Sequence, residues 1–141
     1  MTFPDIRAFP VSHPGPYERQ MGGFIARLLR LFAGRVPDPE SHARVAELAT
    51  APDRWSAGHA VFDEVRRRLL AAMKGDDKPR ALQHSFEESC CQAMYNSIKP
   101  PDPFDPGSAF FIATQALGLA RVIGVPVEAV VAVLAPDAMH V

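Results

Sequence analysis

Cysteine is nearly absent from this 141-residue chain, and the two that occur, Cys90 and Cys91, are adjacent. Neighbouring positions on a helix point about 100° apart, so the pair cannot close a relaxed disulfide. That excludes a disulfide scaffold, and reduced thiols in a cytoplasmic setting are the expectation. An excess of either charge is missing as well: 15 basic residues against 16 acidic ones leave a net charge of −1. No global field draws such a chain to nucleic acid or to an anionic membrane. Long clean apolar runs are also lacking. The most apolar stretch, 109–135, is interrupted by Gln115, Arg121, Pro126 and Glu128 before about 20 apolar residues accumulate, so no membrane span is expected. The first residues, MTFPDIRAFPVSHPGP, have neither the basic start nor the apolar core of a signal peptide. Gly-rich phosphate loops, serine nucleophile elbows, zinc-binding Cys pairs and dinucleotide fingerprints do not occur.

Proline is what the chain has in quantity, with 14 residues, and their positions are informative. They stand at 4, 10, 14 and 16, at 37, 39, 52 and 79, at 100, 101, 103 and 106, and at 126 and 136. Between these clusters lie proline-free windows of helical length, and proline is tolerated in a first turn but not in a helix interior. The first window predicts a helix over about Tyr17–Ala33, with Met21, Phe24, Ile25, Leu28, Leu31 and Phe32 at three- and four-residue spacing. Asp38 caps a short second helix that starts at Pro39. A third helix runs from about Asp53 to Lys74, with Trp55, Gly58, Phe62, Val65, Leu69, Ala72 and Met73 on its apolar stripe and Asp63, Glu64, Arg67 and Arg68 facing water. A fourth, capped by Asp76 or Asp77, reaches about Ile98. A fifth, apolar all round and therefore central or at an interface, ends near Ile123. The last covers Val127–Ala135, where four valines leave strand as the competing reading, without a second strand to pair with. The expectation is an all-α, single-domain bundle of five to six helices over 17–141, preceded by an extended Pro-rich arm over 1–16.

The fourth helix carries the densest chemistry. His84, Glu88, Cys91 and Tyr95 fall on one stripe about 80° wide, opposite a face of Leu82, Phe86, Cys90, Ala93 and Met94. An imidazole, a carboxylate, a thiol and a phenol on successive turns are candidates for a ligand-binding or acid–base site in a bundle, and His59 and Asp63 on the third helix repeat the His-x-x-x-acid spacing. Were a metal present, His59, Asp63, His84 and Glu88 would be its candidate ligands. The Glu-x-x-His pair of carboxylate-bridged di-iron bundles is missing, however, and the mixed donor set specifies no metal, so no cofactor is expected. The simpler reading of the stripe is a half-exposed i,i+4 His–Glu pair. A Cys91 nucleophile activated by His84 is excluded by about 10 Å of helix rise between them.

Two further features bear on partners. Ala120, Gly124 and Val130 have the spacing of a helix-turn-helix, but the second helix would read Val-Glu-Ala-Val-Val-Ala-Val-Leu, without side chains that reach base edges, and nucleic-acid binding is not expected. The rigid segment Pro100-Pro-Asp-Pro-Phe-Asp-Pro106 holds Phe104 between two aspartates, either as a preorganised contact or as a plug for the core. With Phe104 at its edge, an apolar surface of Val127, Val130, Val131 and Leu134 is the candidate interface with another protein or with a second copy as a homodimer. The preferred functional reading is a non-enzymatic helical protein-interaction module of the regulator, adaptor or immunity type. The alternative is a helical-bundle enzyme or a metal- or ligand-binding protein that uses the His84 stripe.

Overall fold

The second and fourth helices start where the proline and aspartate pattern places them. The computed structural model describes residues 20–98 and 106–134. Within them run α1 (Gln20–Phe32), α2 (Pro39–Ala49), a 3-10 segment (Pro52–Ala57), α3 (His59–Lys74), α4 (Lys78–Asn96), α5 (Pro106–Ile123) and α6 (Val127–Leu134). No strand occurs among the described residues, and α6 is a helix. The chain is an all-α single bundle. The arm 1–16, the first turn expected from Tyr17, the segment holding Phe104, and Ala135 lie outside the described residues. No helix of the described residues is long and apolar enough to cross a membrane.

Asp38 caps α2 by accepting from the Ser41 N–H at 3.3 Å, and Asp77 caps α4 by accepting from the Arg80 N–H at 3.2 Å. Both are followed by a proline in the first turn, where its missing N–H costs nothing. Gly34 and Gly124 take left-handed φ values of 81° and 78° just beyond α1 and α5, which lets the chain reverse without a Cβ clash. The expected third helix is split. Residues 52–57 wind as a 3-10 turn, and the α-helix begins only after Gly58. Trp55 explains the break: its indole Nε1 donates to the Leu48 carbonyl at 2.8 Å, which locks the turn back onto the end of α2.

The core is built on α1, whose Met21, Phe24, Ile25, Leu28, Leu29 and Phe32 are buried. Phe32 meets Phe86 of α4 edge-to-face, with ring centroids 5.4 Å apart, the geometry that the aromatic quadrupole favours. Hydrophobicity leaves α5 either central or at an interface, and it is α4 that holds the central place. It packs against α3 and α5, and also against α1, α2 and the 3-10 segment. α5 buries Ala109, Ile112, Ala113, Ala116, Leu117, Leu119 and Ala120 on one side and leaves Phe110, Phe111 and Val122 exposed on the other.

Candidate functional site

A polar helix at the centre of a bundle requires partners for its polar side chains, and α4 has them. Glu87 is fully buried. Its Oε1 accepts from the Ser41 hydroxyl at 2.7 Å and lies 2.8 Å from His84 Nδ1, while its Oε2 accepts from Gln83 Nε2 at 3.0 Å. Gln83 also clasps the backbone of Asp38, accepting from its N–H at 2.9 Å and donating to its carbonyl at 2.7 Å. The second ring nitrogen of His84 sits 3.3 Å from the Asp38 carboxylate. Both nitrogens thus lie near carboxylate oxygens. Arg68 completes the chain, donating to Asp38 at 2.8 and 3.0 Å and to Glu40 and Glu64.

The electrostatics follow from these contacts. Burial by itself would raise the Asp38 carboxyl, but the Arg68 guanidinium, the Ser41 N–H and His84 outweigh it and hold it below the usual range. Hydrogen bonds to Asp38 and Glu64 push Arg68 further up. His42 lies beside this cluster, with Nε2 2.6 Å from the Leu29 carbonyl. Since a carbonyl only accepts, that nitrogen carries the proton. Its Nδ1 makes no hydrogen bond and stands 3.9 Å from Glu87 Oε2. The cluster therefore joins α2 and α4 through Glu87, reaches α3 through the Asp38–Arg68 pair and touches α1 through His42.

The stripe read from the sequence is divided by this packing. His84 is buried and pairs with Glu87, one residue short of the expected Glu88 and at i,i+3 spacing. Glu88 instead lies half-buried, 3.7 Å from Arg66. Arg68, expected in water, is drawn into the buried cluster by Asp38. Cys91 and Tyr95 face a different neighbourhood, a pocket of about 160 Å³ between the 3-10 segment, α3 and α4. His59 reaches the same pocket, with its ring 5.6 Å from that of Tyr95, whereas Asp63 on the next turn is exposed and is not among the pocket's lining residues. Among the described residues no group of three or more His, Cys, Asp or Glu side chains is placed to hold a metal ion. Both cysteines are free and buried. Burial, with Glu87 and Glu88 nearby, pushes the Cys91 thiol up to about 12, and burial pushes Cys90 well above its ordinary value. Neither supplies a thiolate at neutral pH.

The residues of α6 named as an interface turn inward. Val130, Val131 and Leu134 are buried within the chain and Val127 is half-buried. The exposed apolar surface lies elsewhere. Phe110 and Phe111 stand 40% and 66% exposed on α5 and form one wall of a groove of about 600 Å³, whose other wall is Glu88, Ser89, Gln92 and Asn96 of α4. A signal for this was present in the sequence. Adjacent large aromatics on a helix point about 100° apart, and the small residues of α5 at 109, 113, 116 and 120 already mark the face turned to the core. Glu87 had a weaker signal, its i,i+3 and i,i+4 spacing from His84 and Gln83. Comparison with protein-family models, with curated proteins and with solved structures finds no match for this chain.

Proposed function

We propose that the chain is a non-enzymatic helical protein-interaction module whose contact surface is the outer face of α5 with the groove it forms against α4. One observation carries this reading: two neighbouring phenylalanines, Phe110 and Phe111, stand exposed beside a polar wall in a single open groove. Large aromatics cost free energy in water, and an aromatic cluster rimmed by polar groups has the composition of a protein-contact centre. The chemistry of the candidate stripe supports the same reading. His84 is tied up between Glu87 and Asp38, and the Cys91 thiol is held protonated, so neither presents a reactive group to solvent. If the contact is with a second copy, a two-fold symmetric dimer is the default.

A photo-reactive aromatic residue placed at position 111 tests this in the cells that make the protein, with the same probe at the exposed Thr50, just beyond α2, as control. The expected result is one discrete cross-linked product, a dimer or a defined heteromer, from position 111 alone. Phe111→Glu should abolish that association in the purified complex and change folding stability by no more than about 0.5 kcal/mol. Identical cross-linking from positions 50 and 111 would overturn the reading.

A further inference from the structure

The structure assigns a binding site for a compact aromatic molecule carrying one hydrogen-bonding substituent, of the phenol or indole class, to the pocket between the 3-10 segment, α3 and α4. This site opens beside the α4–α5 groove, with which it shares Gln92, and does not depend on the interaction proposed there. Its volume of about 160 Å³ fits a single ring; an apolar cavity of about 150 Å³ accommodates benzene. The walls favour an aromatic over an aliphatic occupant. Trp55 and Phe62 supply aromatic surface, and Met94 a polarisable thioether, all of which gain more from a π-system than from a saturated ring.

The inner wall is free of competing polar demand. The Trp55 N–H is already donated to the Leu48 carbonyl, and the Cys91 thiol is neutral. A charged body would therefore be desolvated there without compensation. Polarity is confined to the mouth. His59 and Tyr95, both exposed, close over it with their rings 5.6 Å apart, and Gln92 lies beside them. A ligand hydroxyl or ring N–H at the mouth meets these groups while its ring occupies the interior.

Trp55 is the single tryptophan of the chain, so the pocket has its own fluorescent reporter. Titrating the full chain with p-cresol, with selective excitation of tryptophan, should give a saturable change in Trp55 emission, half-complete between roughly 0.1 and 1 mM. The saturated analogue 4-methylcyclohexanol should bind roughly two- to tenfold more weakly. Cys91→Met, which extends a side chain into the space, should weaken p-cresol at least about tenfold. Tyr95→Ala, at an exposed position, should weaken it several-fold, and it decides alone if Cys91→Met does not fold. Absence of a saturable response up to about 10 mM in the wild type overturns the assignment, as does unchanged affinity in folded Cys91→Met or in Tyr95→Ala, or equal affinity for the saturated analogue.

Discussion

At the scale of single residues, the outcome is governed by who faces a charge after it has left water. Asp38 does three things at once: it caps α2, binds Arg68 and faces His84. Its carboxyl is held below the usual range in the folded chain. A depressed folded value means that the carboxylate's contribution is complete above the unfolded value near 3.9 and is lost as pH falls through the folded value. Asp38→Asn should therefore lower stability at neutral pH and bring the variant and wild-type curves together as the pH drops below about 4. Urea unfolding at a series of pH values checks this, and a stability difference independent of pH would contradict the role given to the charge. The aspartate's capping function was legible in the sequence, since an Asp-Pro-Glu start before an apolar run is a helix-entry signal. Its partners were not, because Arg68 and His84 are 30 and 46 positions away and no local pattern links them.

At the scale of helices, glycine shows how the same residue type serves opposite purposes. Gly22 lies inside α1 where a Cβ would come within 2.7 Å of the Ala49 carbonyl and 3.0 Å of the Trp55 ring. Its missing side chain is what lets α1 approach the end of α2 and the 3-10 turn. Gly118 lies inside α5 with nothing within 4 Å of an added Cβ. Gly22→Ala should thus destabilise the protein by about 1–3 kcal/mol through overpacking, whereas Gly118→Ala should stabilise it by roughly 0.5–1 kcal/mol through helix propensity. Thermal unfolding of the two variants side by side provides the check, and like signs would refute the packing described for α1. The starts of α2 and α4 followed from their aspartate caps and first-turn prolines. The start of α3 did not, because the 3-10 turn depends on the bond between Trp55 and Leu48, a tertiary contact.

At the scale of the whole molecule, α2 and α4 are joined at the buried Glu87, and α3 is tied to them through Asp38 and Arg68. Removing Glu87 leaves Ser41, Gln83 and His84 without their common acceptor in a site with no water access. Glu87→Ala should cost about 3–5 kcal/mol, the penalty for stranding buried partners of a lost charge. Glu87→Gln, which keeps the shape and one acceptor, should cost measurably less. Chemical denaturation distinguishes them, and equal losses would mean that volume rather than charge pairing holds the centre together.

By itself the sequence determined the class of the fold. The spacing of prolines, the caps at Asp38 and Asp77 and the stripe of α1 act within a turn or two of the chain, and such local physics is written in order along it. It left open whether the apolar residues of α5 and α6 pack inward or form an interface. Tertiary structure alone decided which helix is central and what the polar residues of α4 do. Ten positions separate His84 from Met94, and the side chains between them are claimed by α1, α2, α3, α5 or the 3-10 turn according to which element lies against each direction. The choice between Glu87 and Glu88 as the partner of His84 is a difference of about 100° around α4. That difference has meaning only once Ser41 and Asp38 stand on one side of α4 and Arg66 on the other.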